Sequence, residues 1–148
     1  MKPKTILKSI EIKAKKEKIW DVLILDKYNR KWYAAFMEGT YAETDWKKGS
    51  KALFLDKERN GMIAIVEENK PYELLSLEYQ GEVLKGKENY ESESAKAIKG
   101  GREIYKLSEI NGVTTLHISG DMTEELFDYM SASWDKALQK IKELAEKM

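Results

Sequence analysis

The carboxy-terminal stretch "EELFDYMSASWDKALQKIKELAEKM" constrains this chain more than any other. Leu126 or Phe127, Met130, Trp134, Leu138, Ile141 and Leu144 or Ala145 recur at three- and four-residue intervals, the period of one face of an α-helix. The opposite face carries Asp135, Lys136, Gln139, Lys140, Lys142, Glu143, Glu146 and Lys147. Asp121 and Thr123 stand just ahead as candidate caps. The pattern predicts an amphipathic helix of about six turns, well above the average of about three. Such a helix gains its stability from an apolar surface that it covers, so the rest of the chain must supply one.

The remaining pattern supplies it as strands. Residues 5–13, "TILKSIEIK", place Ile6, Ile10 and Ile12 on one face, with Lys8 the odd member. The period then changes. Ile19, Val22 and Leu23, with Trp20 beside them, predict a short helix, and Tyr28, Trp32 and Phe36 predict a second over 26–36. From Gly39 to Gly120 strands alternate with turns, with Gly49, Gly61 and Pro71 where turn chemistry needs them. Asn111-Gly112 is the strongest hairpin signal in the chain. Residues 81–101, rich in glycine and charge and poor in periodicity, predict a long mobile loop with at most one irregular strand. The order is strand, two short helices, about six further strands and a long helix. It predicts an α+β fold in which a curved antiparallel sheet, wet on one face, packs its dry face on the helix.

Composition narrows the function. At 148 residues the chain is expected to form one domain, 1–148, without help from metals or disulfides. Lys plus Arg equals Asp plus Glu at 26 each, so no net field draws in nucleic acid or an anionic membrane. Absence of cysteine removes thiol nucleophiles, Cys-based zinc sites and disulfides together, and it suits a reducing compartment. No apolar run is long enough for a signal peptide or a membrane span, so a cytoplasmic location is expected. The glycines form neither a dinucleotide nor a phosphate-binding motif, and no serine sits in a nucleophile elbow. His117, the lone histidine, alternates with Leu116 and Ile118 and so points away from their face. Without a second histidine or a cysteine it is assigned no catalytic or metal role. No cofactor and no metal are expected.

The segments "SIEIKAKKEKIWDVL", "GTYAETDWKKGSKALF", "GMIAIVEENKPYELLSLEY" and "NGVTTLHISG", followed by "SWDKALQKIKELAE", with Trp32 ending the second helix, carry a family resemblance. The chain resembles the START-like, Bet v 1-like superfamily (SRPBCC), and within it the Hsp90-ATPase-activator-homologue branch. It departs from that branch at Ala14-Lys15, where the branch has Ala-Pro before the first helix. The resemblance implies a helix-grip fold: a curved sheet of about six to seven strands wrapped around the long helix, with the two short helices plugging one end. It also implies a cavity between sheet and helix, in which members bind apolar molecules. Some members are polyketide cyclases, and one branch stimulates the ATPase of Hsp90.

In such a fold the core stripe and the cavity lining are the same residues. The candidate lining is Trp32, Tyr33 and Phe36 from the second helix, and Phe54, Tyr79 and Tyr105 from the strands. Phe127, Met130 and Trp134 come from the long helix. Tyr79, Tyr105 and Trp134 each need a polar partner if buried, which favours an amphipathic ligand. Lys8 is a further candidate: its ammonium either snorkels to the rim, the preferred reading, or reaches inward as a handle for an anionic ligand.

The leading expectation is a protein that binds a lipid-like or polyketide-like molecule in a cavity of roughly 300–1,000 Å³. The second is an interaction module for an Hsp90-type chaperone. The third is an enzyme of the cyclase or hydratase kind, which requires at least two polar side chains converging inside the cavity, one of them with a displaced pKa. Binding is preferred over catalysis.

Overall fold

The computed structural model describes residues 3–148. Strand β1 (Pro3–Ile12) leads into helices α1 (Lys16–Ile24) and α2 (Asp26–Tyr33). Strands β2 (Tyr41–Glu43), β3 (Lys51–Leu55), β4 (Gly61–Lys70), β5 (Leu74–Leu84) and β6 (Lys87–Asn89) follow. A short helix α3 (Glu93–Ile98) precedes β7 (Arg102–Ile110) and β8 (Val113–Thr123), and α4 (Phe127–Glu146) closes the chain. The strands form an eight-stranded sheet in the order β1-β8-β7-β5-β4-β3-β2, with β6 added beside β5. Every pairing is antiparallel. This is the curved sheet and long helix of the helix-grip architecture.

The core lies between the sheet and α4. On β1 the alternation holds: Ile6 and Ile12 are buried and Leu7 is exposed on the outer face. On α4, Trp134, Ala137, Leu138, Ile141 and Ala145 are buried. Trp134 packs its ring against Trp32, Phe36 and Tyr105. Helix α1 buries Ile19, Trp20, Val22 and Leu23. Helix α2 is fixed to it by Trp32, whose buried indole N–H donates to the Val22 carbonyl at 2.9 Å. Trp20 is therefore core, and Trp32 is both core and a strut. Asn111 and Gly112 adopt φ of 51° and 81°, the pair of positive values a two-residue hairpin turn of this hand requires.

Three expectations are corrected. Residues 81–101 are ordered: Gly81–Leu84 continue β5, and β6 returns from a Lys85-Gly86 turn with both φ positive. Ser92 then caps α3 by accepting the Ala95 amide at 3.1 Å, and Ala95 is buried. The charged exterior of this arm hides its periodicity. Asp121 and Thr123 do not cap α4, because β8 runs on to Thr123. Asp121 instead accepts from the Thr5 hydroxyl at 2.6 Å and the Arg102 amide at 3.0 Å, and a 3₁₀ turn, Glu124–Leu126, leads into the helix. Helix α2 ends at Tyr33, three residues short of the expected boundary, and Phe36 sits in the turn beyond it.

Candidate functional site

Between β3, β4, β5 and β7 on one side and α2 and α4 on the other, the structure leaves a cavity of about 110 Å³. Its walls are built from rings. Trp32 and Tyr33 from α2 and Phe36 from the following turn meet Phe54 on β3. Tyr79 on β5, Tyr105 on β7, and Met130 and Trp134 on α4 join them, eight of the ten expected residues. The rings brace one another: Trp32 lies 4.5 Å from Tyr33 and 6.1 Å from Trp134, and Phe36 lies 4.9 Å from Trp134, centroid to centroid. These spacings fall in the range of favourable aromatic pairs.

Two expected residues stand elsewhere. Lys8 lies at the rim, its Nζ donating to Asp135 Oδ1 at 2.7 Å, and it does not reach the cavity. Partnership with Asp135, near the middle of α4, spares it the cost of an unpaired charge among apolar groups. Phe127 is the first residue of α4 and packs at the outer end of the core, under the Lys4 ammonium 5.0 Å from its ring centroid. Phe127 shares the helix face of Met130 and Trp134 but stands a turn nearer the helix start, and the cavity wall ends at Met130. His117 is exposed on the outer face of the sheet, opposite Leu116 and Ile118, as its parity predicts.

Thr40, Met62 and Glu103 also line the cavity. Glu103 changes its chemistry. It precedes Tyr105 by two residues on β7, so both point to the inner face. A parity count along "REIYKLSEI" is enough to find it: a carboxylate shares the inward face with Tyr105 and Leu107. Tyr79 donates its hydroxyl to Glu103 Oε1 at 3.0 Å, and Tyr105 donates to Oε2 at 2.5 Å. The polar partners that the buried tyrosines needed are thus one shared carboxylate.

The electrostatics follow from depth. Burial lifts the Glu103 carboxyl above its ordinary value, against the lowering effect of the two phenol hydrogen bonds. Glu103 keeps some accessible surface because it faces the cavity. Burial, then the nearby Glu103 charge, hold the phenols of Tyr33, Tyr79 and Tyr105 well above the ordinary tyrosine value. All three phenols stay protonated, and those of Tyr79 and Tyr105 donate to Glu103. Across the sheet, Glu103 is in register with Gly120 of β8. A Cβ at Gly120 would stand 3.8 Å from Trp134 Nε1, in ordinary van der Waals contact with the indole edge. Among the described residues, that buried N–H has no hydrogen-bond partner. The arrangement is a mostly aromatic cavity with one carboxyl and three phenols at its wall. It can accept a proton, donate one, or take a cation.

Among the described residues no group of three or more His, Asp or Glu is placed to hold a metal ion. No helix among them is long and apolar enough to cross a membrane.

Comparison with solved structures supports the architecture. The chain is similar to the protein MLL2253 from Mesorhizobium loti, with a TM-score of 0.75, 14% identity, and 98% of each chain covered. It is similar to the Aha1 dimer from Colwellia psychrerythraea, with a TM-score of 0.70, 17% identity, and 97% and 96% of the two chains covered. CalU16 from Micromonospora echinospora matches with a TM-score of 0.67 and 14% identity, over 95% of this chain and 73% of that one. No family model and no curated protein matches the sequence. The class defined by sheet, helix and cavity is therefore that of the helix-grip proteins. At these identities the likeness is one of fold.

Proposed function

We propose that this protein binds a small amphipathic molecule in the cavity between the sheet and α4, with Glu103 and its tyrosines at the polar end. The observation that carries this reading is a carboxyl without a charge partner facing a mostly aromatic cavity. A purely structural core has no use for it, because burying the group without a charge partner costs free energy that an apolar residue would not. The aromatic walls contribute burial of apolar ligand surface, about 25 cal/mol per Å², and the polar groups fix orientation.

The size of the cavity revises the ligand. About 110 Å³ is well below the range of roughly 300–1,000 Å³ expected for an enclosed lipid-like or polyketide-like molecule. The occupant is a molecule of few heavy atoms, or the polar end of a larger one. Native mass spectrometry of the protein purified gently from its own host, before and after organic extraction, tests the reading. A bound mass that disappears on extraction supports it; an apo mass in the gentle preparation counts against it.

One observation favours a second reading. Converging polar side chains with a displaced pKa are the requirement for proton-transfer catalysis of the cyclase or hydratase kind, and Glu103 with Tyr79 and Tyr105 meets it. If the site is catalytic, Glu103 is the proton carrier and the phenols position it. An Hsp90-type chaperone as partner, and membership of that activator branch, rest on the likeness to the Aha1 dimer and the sequence resemblance alone. A cytoplasmic setting and one domain over 1–148 belong to the same proposal.

A further inference from the structure

The binding role proposed above leaves the chemical class of the ligand open, and charge balance at Glu103 narrows it. On the outer surface the acidic residues find cations: Glu67 and Glu78 share Arg102, Glu43 meets Arg59 and Glu88 meets Lys51. Among the described residues no Lys, Arg or His lies within salt-bridge distance of Glu103, the carboxylate that lines the cavity. Its partners are two phenols, which donate hydrogen bonds but stay neutral. Each carboxylate oxygen receives one of them, and an ionised carboxylate has about four acceptor positions, so capacity remains for a further donor.

We infer that the ligand presents an organic cation to this site, in its smallest form a short alkylammonium whose N–H groups donate to Glu103 while its chain lies among the aromatic walls. A neutral hydroxyl would satisfy a lone pair but brings no charge to pair with a carboxylate. An anion meets no opposing charge, since Lys8, the candidate handle for one, is bound to Asp135 outside the cavity. The surrounding rings of Trp32, Tyr33, Phe54, Tyr105 and Trp134 favour a cation further, because their π-systems attract positive charge most strongly where water is excluded. The cavity volume suits a short chain.

The proton balance gives this class a signature. Where the empty cavity holds Glu103 as the neutral acid, entry of an ammonium leaves a carboxylate–ammonium pair and releases one proton to solvent. The other titratable groups around Glu103 are Tyr33 on α2, Tyr79 on β5 and Tyr105 on its own strand, whereas α4 lines the cavity with Met130 and Trp134 and β8 sets Gly120 opposite. The phenols do not ionise in the range where Glu103 does. Cation affinity therefore tightens as pH rises through the Glu103 midpoint, and affinity for a neutral isostere does not.

The test compares butylammonium with 1-butanol, which have the same number of heavy atoms, by titrating each into labelled protein and following the indole N–H signals. Butylammonium is expected to bind at least about tenfold more tightly, equivalent to about 1.4 kcal/mol. Glu103→Gln is expected to remove that advantage. Equal or tighter binding of butanol to the wild-type protein overturns the cation assignment while the binding role stands. Silence from both ligands at the indoles of Trp32 and Trp134 overturns both. The wild-type comparison needs no variant, so it decides the assignment even where Glu103→Gln fails to fold.

Discussion

Tyr105 donates its phenol hydroxyl to Glu103 Oε2 at 2.5 Å, across two residues of one strand and inside the aromatic cavity. This bond lowers the Glu103 carboxyl against the larger opposing effect of burial. Tyr105→Phe keeps the ring and deletes the donor. It is expected to cost about 1.5–3 kcal/mol, the range for hydrogen bonds to charged groups, and to raise the Glu103 midpoint further. Urea unfolding and carboxyl NMR titration read the two effects; an unchanged midpoint would remove Tyr105 from the site.

Stability should carry the mark of Glu103 in its pH dependence. The folded carboxyl holds its proton more tightly than the unfolded one, whose ordinary value is about 4.3. Its contribution is thus complete below that pH and is lost as pH rises through the folded midpoint. Glu103→Gln does not titrate. The stability difference, wild type minus variant, is predicted to fall with rising pH across this window and then level off. A difference that rises with pH would mean that Glu103 is stabilised as a carboxylate. Glu67, Glu88 and Glu146 have lowered values and slope the other way, and the difference cancels them.

At the alkaline end the tyrosines divide. Of the eight in the chain, Tyr33, Tyr79 and Tyr105 are held well above the ordinary value of about 10 by burial. Ultraviolet titration is predicted to leave these three protonated until the protein unfolds. Their stabilising effect is full below about pH 10 and declines above it, so the protein should unfold in base as they ionise. Complete, reversible ionisation of all eight in the folded state would show the cavity to be wet.

Filling the cavity separates binding from folding. Met130 lines it from α4, and Met130→Phe adds a ring where free space exists. Cavity-filling changes commonly add about 0.5–2 kcal/mol. The variant is expected to be at least as stable as the wild type by thermal unfolding, and to lose the ligand mass in native spectrometry. Retained ligand would place binding elsewhere.

The helix-grip architecture is readable in the sequence because its signals are periodic. The face of α4 from Met130 to Ala145, the β1 alternation and the Asn111-Gly112 turn each carry a pattern that burial and turn geometry impose. The 81–101 arm is not readable, since β6 and α3 lie on the surface and bury little beyond Ala95. Most of the cavity's rings follow from the fold, but Phe127, on the same helix face as Met130 and Trp134, lies beyond the cavity's end, and how far the cavity extends along α4 is not a periodic signal. Glu103 is legible in principle. Its inward parity stands beside Tyr105, but a charged residue in "REIYKLSEI" reads as solvated surface until the neighbouring strands close over it. The volume left between the rings depends on how side chains of known size interlock, and only the assembled structure supplies it.

The most direct measurement is a high-resolution crystal structure of the protein purified from its own host without extraction. Non-protein density is predicted inside the cavity, within hydrogen-bond distance of the Glu103 carboxylate and packed against Trp32 and Trp134. A cavity closed by repacked side chains, or occupied by ordered water alone, would contradict the binding role.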